Sequence, residues 1–339
     1  MSSHLLRYDL LEGDSDSIHR VYRRPAIPVP QSKRLISAAP IFWAAELRVA
    51  IRDFTVKWIG YESVFSGLKD LGLDSFELYL DRELKGAKYS DMGQEVSLGF
   101  DMSSPQKRHE LSKRLKDEGL TVCAILVEND FARPDLEAEV RWVVDACNVA
   151  PDIDCDTVRI NPPMRIEEGV PEDEYVKTTI RCCQDILDRT EQTGVSLAME
   201  NHGLMGNRRE FLKSVFDGLD SKRMGLTLDT GNLFWYGHPW ETGYSIIQEF
   251  ARRVKHVHVK NLSFPEERRN SKREPGEGWP DSAATIHEGD VDIGRIVRVL
   301  RAAEYDKDLA LEDESLGKFP RDQRIGVVKQ DVSFLRKLL

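Results

Sequence analysis

The chain has 339 residues, of which 40% are hydrophobic, and its 48 basic and 58 acidic side chains give a formal net charge of −10. This apolar fraction suffices for a large core, which excludes global disorder. No run approaches the roughly 18 to 20 apolar residues of a membrane span. The acidic balance disfavours non-specific binding to a phosphate backbone, so we expect neither a nucleic-acid nor a membrane partner.

The cysteines and the N-terminal residues bear on the cellular compartment. The five cysteines include no CxxC pair, so we expect neither a disulfide scaffold nor a structural zinc cluster. We therefore expect the protein to reside in a reducing compartment. Residues 1–45 hold a proline-containing stretch and paired charges without sustained periodicity, which predicts an irregular N-terminal extension. The apolar run at 35–45 is short and contains Pro40, which favours a cytoplasmic protein over a cleaved secretory signal.

From residue 46 onward, short apolar or β-branched runs alternate with amphipathic stretches of helical period. The runs predict eight strands, at 47–54, 75–80, 121–128, 156–161, 195–201, 224–230, 254–261 and 307–313. The amphipathic stretches predict helices, among others at 105–119, 136–147, 175–194, 294–304 and 322–339. This alternation predicts an α/β fold, a single (β/α)8 TIM barrel over 46–339.

A doubly wound parallel sheet is the alternative, and it would normally carry a glycine-rich phosphate loop after its first strand. Here that position reads RDFTVKWIGYES, without a GxGxxG motif. No Walker A loop, GxSxG elbow or HExxH motif occurs elsewhere in the sequence. The absence of these motifs favours the barrel.

Strands seven and eight are separated by an unusually long segment, 261–292, which is rich in charge, glycine and proline. We call this segment the insert. A barrel places such a connection at its C-terminal face, where active sites lie, so we expect a long loop there. The insert is either a solvated loop without a role or a lid that selects the substrate.

Acidic or imidazole side chains stand at the ends of four consecutive strands, where a barrel core would otherwise require Val, Ile or Leu. Glu200 ends strand five, Asp229 strand six, His258 strand seven and Glu312 strand eight. Period-two alternation predicts that all four point inward and converge. Three carboxylates stay ionised together only beside a compensating cation, and this ligand set favours one Mn²⁺, Mg²⁺ or Co²⁺ ion over Zn²⁺.

Each of these residues taken alone has a simpler interpretation. A single acid at a strand end is more often a helix N-cap or a salt-bridge partner, and a single histidine is more often structural. His256, one layer deeper in strand seven, is interpreted in that way, as a core or supporting histidine. The coincidence at four consecutive strand ends favours the metal site over these separate explanations.

Several further residues are candidate substrate contacts. His202 follows Glu200 on the same alternating face, and Lys260 and Arg159 lie at the ends of other strands. A solvated surface position is the alternative for each of them. Phe54, Trp235 and Trp279 are candidate apolar walls, although packing in the core or in a loop is the commoner use of such residues.

The segments LAMENHG, LTLDTGN, VKHVHVKN, HEGDVD and LALEDE follow one another at strands five to eight. In this order they resemble the sugar phosphate isomerase/epimerase superfamily, the xylose-isomerase-like TIM barrels that also include endonuclease IV. The resemblance covers about residues 46–339. It implies one divalent metal ion, held by residues that fall on Glu200, Asp229, His258 and Glu312. It also implies that a strand-two glutamate, here Glu77, lines the pocket, with a structural acid as the alternative.

The sequence departs from the superfamily at positions that bear on the substrate. Many epimerases carry a histidine three residues after the strand-six aspartate, where this chain has Asn232. The arginine-containing segment that follows strand seven in ketose epimerases is replaced by the insert. Strands two and three lack the histidines that endonuclease IV needs for its trinuclear zinc site, so repair nuclease activity is disfavoured.

The resemblance predicts a metal-dependent isomerase or epimerase of a keto-sugar, sugar phosphate or polyol derivative that reacts through an enediolate. Glu200 and Glu312 would be the catalytic pair that removes and returns the proton. A metal-dependent dehydratase or lyase of the keto-inositol or 3-keto-glycoside type is one alternative. A non-catalytic barrel that binds a metabolite or a protein partner is another. The expected partner is a small-molecule carbohydrate, and dimers or tetramers are common among proteins of this kind.

Overall fold

A computed structural model describes residues 47–86, 88–91 and 94–339. The predicted N-terminal extension, 1–45, lies outside these residues. The barrel strands are β1 (Arg48–Arg52), β2 (Ser75–Tyr79), β3 (Thr121–Leu126), β4 (Thr157–Ile160), β5 (Ser196–Glu200), β6 (Met224–Asp229), β7 (Val254–Val259) and β8 (Asp308–Leu311). They close into a barrel in sequence order, with β8 paired to β1, and every neighbouring pair is parallel. The predicted (β/α)8 barrel is therefore confirmed.

Helices flank the barrel and follow its strands along the chain. The longer ones are Val64–Leu71, Pro105–Glu118, Leu136–Val149, Glu172–Arg189, Arg209–Leu219, Trp240–Phe250, Ile293–Ala302 and Arg321–Leu338. The short ones are Asp53–Trp58, Gly203–Gly206, Asn232–Trp235 and Glu266–Arg269, and 3-10 turns lie at Ala150–Ile153, Glu191–Thr193, Ala251–Arg253 and Glu314–Lys318. The helix predicted at 175–194 starts earlier, at Glu172, because Pro171 precedes it and three acids occupy its first turn. It also ends earlier, at Arg189, and a 3-10 turn separates it from Gly194, which has a φ of 68°.

The inward face of the barrel changes from small to polar residues along the strands. Ala50, Ala198 and Ala310 lie two positions before the polar residues that end β1 and β5 and directly follow β8, so alternation puts them on the same face. All three alanines are fully buried. Small side chains at this level leave room for long polar side chains at the C-terminal mouth, while the opposite face of each strand packs its apolar residues outward against the helices.

The insert is the long loop that the sequence predicted, and it contains short elements of secondary structure. Its residues Asn261–Leu262 pair antiparallel with Ala283–Ala284, and the helix Glu266–Arg269 lies between them. Lys318, in the turn after β8, donates from Nζ to the carbonyl oxygens of Asp281 at 2.7 Å and Ala283 at 2.6 Å. A second antiparallel pair, Lys88–Asp91 with Gln94–Ser97, follows β2.

All five cysteines lie among the described residues and are free thiols. Cys147, Cys155 and Cys183 are buried, and burial raises the pKa of each thiol. Across the described part of the chain, no helix is both long enough and apolar enough to cross a bilayer.

Two glycines allow the packing of the barrel to be tested with the same substitution. A Cβ on Gly225 in β6 would overlap the carbonyl oxygen of Arg253, whereas a Cβ on Gly326 in the last helix meets nothing within 4 Å. We expect Gly225→Ala to lower the free energy of unfolding by about 1–3 kcal/mol through overpacking. Gly326→Ala should raise it by up to about 1 kcal/mol, because alanine favours helix. Urea denaturation measures both shifts, and a stable Gly225→Ala protein would contradict the close approach.

Candidate functional site

The four polar strand ends meet at the C-terminal mouth of the barrel. Glu200, Asp229, His258 and Glu312 each offer one ligand atom, and these atoms all lie within 4.8 Å of one another. The first three side chains are almost fully buried, and Glu312 is partly open to the mouth. We call these four residues the ligand cluster. Three carboxylates and one imidazole are held together here with little access to water.

Three atoms of the ligand cluster have no hydrogen-bond partner among the described residues. They are Asp229 Oδ2, His258 Nδ1 and Glu312 Oε2, and all are buried. His258 Nδ1 lies 3.0 Å from Glu312 Oε2 and 3.5 Å from Glu200 Oε2. Buried polar atoms without partners are costly, and oxygen-rich ligation with one imidazole suits a divalent cation. The residues therefore fit one such ion.

Glu77 fixes the orientation of the two histidines of β7. Its Oε1 lies 2.9 Å from His258 Nε2 and also 2.9 Å from His256 Nε2. Because Glu77 Oε1 accepts a hydrogen bond from the Nε2–H of His258, the opposite ring nitrogen faces the carboxylates, as in many metal sites. Glu77 and His256 are buried beneath the ligand cluster and do not line the cavity described below.

Arg159 and Asn232 hold the carboxylate of Glu200. Arg159 Nε donates to Glu200 Oε2 at 2.5 Å, and Asn232 Nδ2 donates to Oε1 at 3.0 Å. Burial alone would raise the pKa of Glu200, but the Arg159 guanidinium outweighs it and holds that pKa well below its usual range. Glu200 is therefore ionised and fixed at both oxygens.

The turn after β6 binds one carboxylate oxygen of Asp229 and leaves the other facing Lys260. Oδ1 accepts from the backbone N–H groups of Gly231 and Asn232, both at 2.8 Å. Asn201 supports the same residue from β5, since its side chain accepts from Asp229 N at 2.7 Å and donates to Asp229 O at 3.0 Å. Burial raises the pKa of Asp229 to about 7, although the Lys260 ammonium opposes this shift. A cation beside Oδ2 would restore the charged form.

Lys260 is buried beside the ligand cluster and does not lie on the solvated surface. Its Nζ is 3.1 Å from Asp229 Oδ2, 3.0 Å from Glu314 Oε1 and 3.2 Å from Asn232 Oδ1. Only 5% of the residue is exposed. A Cβ on Gly231 would lie 2.9 Å from Lys260 Cγ, so the turn needs glycine at this position.

His202 is the most open of the predicted site residues on β5 and β6. Its Nδ1 lies 3.2 Å from Asn161 Oδ1 and 3.3 Å from Arg159 Nη2, and 39% of its side chain is exposed. Trp235 lies farther away, beside Gly276 of the insert, and is not a wall of the cavity. The structure thus places His202 beside the ligand cluster and Trp235 against Gly276 of the insert, outside the cavity lining.

A cavity of about 500 Å³ opens beside the ligand cluster on the side of β1, β2 and β8. Its walls come from the end of β1 and the turn after it, the ends of β2 and β3, the antiparallel pair after β2, the insert and the turn after β8. The lining residues are Arg52, Phe54, Thr55, Trp58, Tyr79, Lys88, Glu128, Trp279, Glu312, Asp313 and Glu314. Two of the three predicted apolar walls, Phe54 and Trp279, line it. Glu312 is the residue that belongs to both the cluster and the cavity.

Sequence reasoning missed three residues of the site, Arg52, Tyr79 and Glu128. Arg52 ends β1 and pairs with Glu77 at 3.3 Å and with Glu312. Tyr79 donates its hydroxyl to Glu128 at 2.6 Å, on the far wall of the cavity. The alternation that selected Glu200 also applies to Ala50 and Arg52, so Arg52 was recognisable in the sequence.

A pair of buried acids lies between the cavity and the last helix. Burial and the neighbouring Asp331 raise the pKa of Asp313 to about 7. Burial likewise raises the pKa of Asp331 to about 6, although its Oδ1 accepts from the backbone N–H of His287 at 3.0 Å and lies 2.7 Å from the imidazole Nδ1. The last helix is thus attached to the insert through His287.

Comparison with known sequences gives one family and one relative. A family model described as xylose isomerase-like TIM barrel matches residues 65–338. The chain is similar to the uncharacterized protein MJ1311 of Methanocaldococcus jannaschii, with 22% identity over 187 residues. The match covers 52% of this chain and 57% of that protein, so the chain spans little more than half the length of the curated relative.

Solved structures share the fold over most of the chain. A zinc-bound IOLI protein has a TM-score of 0.63 at 12% identity, covering 86% of this chain and 99% of that one. An L-ribulose 3-epimerase has a TM-score of 0.59 at 18% identity, covering 86% and 94%. The probable 3-DHS dehydratase AsbF from Bacillus anthracis has a TM-score of 0.59 at 15% identity, covering 86% and 99%. At these identities the likeness shows the fold.

The raised pKa of Asp331 predicts a pH dependence of stability. Because the folded-state pKa of about 6 lies above the usual 3.8, the folded protein holds this proton more tightly than the unfolded chain does. The resulting stability is complete below about pH 4 and is lost as the pH rises through about 6. Between these values the unfolding free energy of the wild type should fall by up to about 3 kcal/mol more than that of Asp331→Asn.

Urea denaturation at a series of pH values measures this difference in slope. Asp322→Asn, an exposed change in the same helix, is the matched control. If Asp331→Asn and Asp322→Asn give the same pH profile, Asp331 does not retain its proton in the folded state.

Proposed function

Since the chain belongs to the xylose isomerase-like TIM barrel family, we propose that it is a metal-dependent isomerase or epimerase of a keto-sugar or polyol derivative. The observation that carries the proposal is the ligand cluster, in which four residues from consecutive strands each bring one possible ligand atom within 4.8 Å of the others, and three of these residues have a buried atom without a hydrogen bond. The epimerase among the structural neighbours is consistent with this activity.

In this proposal one divalent ion is held by Glu200, Asp229, His258 and Glu312. When bound, such an ion polarises a carbonyl group and stabilises negative charge on neighbouring oxygens. The oxygen-rich ligand set favours Mn²⁺, Mg²⁺ or Co²⁺ over Zn²⁺. Glu77 acts here as a positioning residue, because it keeps His258 Nδ1 turned toward the carboxylates.

Glu200 and Glu312 are the proposed acid and base. They come from strands that are not adjacent in the barrel, so they approach a substrate carbon from different sides. Arg159 and Asn232 hold Glu200, while Arg52 holds Glu312. One carboxylate removes the proton next to the carbonyl and the other returns it, which inverts the carbon when the two faces differ.

The remaining polar residues are proposed substrate contacts. His202 is open to the mouth and close to Arg159, so it can donate to or accept from a substrate hydroxyl. Lys260 carries its ammonium among Asp229, Glu314 and Asn232, where it can neutralise charge that develops on a substrate oxygen. Both residues bind the reacting end of the substrate in this proposal.

A second candidate function is a dehydratase or lyase on the same site. It is favoured by the Tyr79–Glu128 pair, which faces the cavity at a place where a leaving group could be protonated. Burial and the adjacent Glu128 carboxylate raise the pKa of the Tyr79 hydroxyl, so it keeps its proton. A dehydratase is also among the structural neighbours. Elimination and epimerisation share the first proton removal and differ in the product.

The metal site is tested by the metal content of the purified protein. We expect about one divalent ion per wild-type chain after loading with Mn²⁺, and a loss of most of it in Asp229→Ala. Inductively coupled plasma mass spectrometry after gel filtration measures the ratio. Asp322→Ala, which removes an exposed carboxylate, is the matched control and should retain the metal. Equal metal content in all three proteins would refute the ligand cluster.

The reaction is tested by exchange of the proton next to the carbonyl with deuterated solvent. Wild-type protein loaded with Mn²⁺ should label a keto-sugar or a 3-keto-glycoside, and Glu200→Gln should reduce the rate by at least about 100-fold. Glu191→Gln, at an exposed position before β5, should keep the wild-type rate.

Product analysis of the same samples separates the two candidate reactions. An epimeric sugar supports the epimerase, and an unsaturated product with a released group supports the lyase. A measurable function that survives Glu200→Gln unchanged would favour the non-catalytic binding barrel.

A further inference from the structure

The cavity extends well beyond the place where the reaction is proposed to occur. Glu200, Asp229 and His258 do not line it, and Glu312 forms only one edge. From that edge it runs over the ends of β1, β2 and β3 toward the insert. Its volume of about 500 Å³ lies within the ~300–1,000 Å³ range of sites for drug-sized ligands. A single sugar ring held at Glu312 leaves the far part unfilled.

Aromatic rings form the walls of this far part. Phe54 and Trp58 stack with ring centroids 6.2 Å apart and an interplanar angle of 19°. Tyr79 lines the cavity from β2, and Trp279 reaches it from the insert. Trp279 is 38% exposed, which is unusual for so large an apolar side chain. We call Phe54, Trp58, Tyr79 and Trp279 the aromatic subsite.

Carboxyl groups outnumber cationic groups around the aromatic subsite. Glu128, Glu312, Asp313 and Glu314 contribute four carboxyl groups to the lining, against two cationic side chains. One of the cations, Arg52, is already paired with Glu77 and Glu312. Carboxyl groups accept hydrogen bonds from hydroxyls and repel phosphate, whereas aromatic faces bind the apolar face of a ring.

We propose that the aromatic subsite binds a second ring, neutral and bearing hydroxyl groups, that is joined to the keto-sugar at the ligand cluster. The substrate is then a glycoside and not a free or phosphorylated monosaccharide. This inference rests on the proposed function for the reacting end of the substrate. The second ring is either another sugar or a phenol, since both combine a flat apolar face with hydroxyls.

Trp279 is the specificity-determining residue in this proposal, because it comes from the insert. Its backbone is fixed, with Trp279 N donating to Gly276 O at 3.0 Å and Gly276 N donating to Trp235 O at 2.9 Å. The Lys318 contacts to Asp281 and Ala283 hold the residues that follow. The backbone that carries the ring is therefore ordered before any ligand arrives, which reduces the entropy lost on binding.

The test is binding of unreactive glycosides to the full-length protein loaded with Mn²⁺, measured by isothermal titration calorimetry. The ligands are methyl β-glucoside, 4-hydroxyphenyl β-glucoside, cellobiose and glucose 6-phosphate. They are titrated into wild type, Trp279→Ala and Trp279→Phe, the last of which keeps an aromatic face. Turnover is not needed for this measurement.

The proposal predicts that 4-hydroxyphenyl β-glucoside or cellobiose binds wild type at least about tenfold more tightly than methyl β-glucoside does. Trp279→Ala should lose most of that preference, and Trp279→Phe should retain it within about threefold. The tighter of the two ligands identifies the second ring as phenol or sugar.

Equal binding of one-ring and two-ring ligands to wild type would overturn the proposal, and so would a preference that survives Trp279→Ala. Tightest binding of glucose 6-phosphate would overturn it as well, since the acidic lining should reject phosphate. Deuterium exchange on the keto-sugar, measured separately, reports on the proposed function. A protein that prefers two rings but exchanges no proton would refute the reaction and leave the aromatic subsite in place.

Discussion

Carboxylates crowded at the mouth of this barrel can be buried only if positive charge lies among them, and the arrangement of the site follows from that requirement. Arg52 at the end of β1, Arg159 in β4 and Lys260 after β7 each reach a different carboxylate. Lys260 Nζ lies 3.1 Å from Asp229 Oδ2, but neither this oxygen nor Glu312 Oε2 accepts a hydrogen bond of good geometry. The fixed cations hold the acids in place, and the remaining imbalance is what a divalent ion would neutralise.

The fold and the ligand cluster were predictable because both depend on local regularities of sequence. A strand end and a period of two suffice to aim Glu200 or Glu312 inward. The contacts between strands were less accessible. Glu77 bonds to two histidines that lie about half the chain away, and Asn201 supports Asp229 from a neighbouring strand. Such pairs become visible only when the barrel closes and sets the register of neighbouring strands.

The insert shows a different limit of sequence reasoning. Its charge, glycine and proline content correctly placed it outside the barrel strands, but composition does not reveal which side chain turns inward. Trp279 lines the cavity while Trp235, an equally plausible wall, lies behind the insert. That difference arises from hydrogen bonds to backbone carbonyl groups, such as those from Gly276 N to Trp235 O and from Lys318 Nζ to Asp281 O. The periodicity of the sequence does not predict such bonds.

The anchoring of the insert by Lys318 also has an evolutionary consequence. β7 and β8 are held by their own parallel ladder, so the ligand residues at their ends do not depend on what connects them. Insertions and deletions between the two strands can therefore change the wall around Trp279 while the ligand cluster stays intact. Evolution could therefore change the substrate of one chemical step by replacing this connection alone. Each replacement would again need to accept hydrogen bonds from a donor such as Lys318 in the turn after β8.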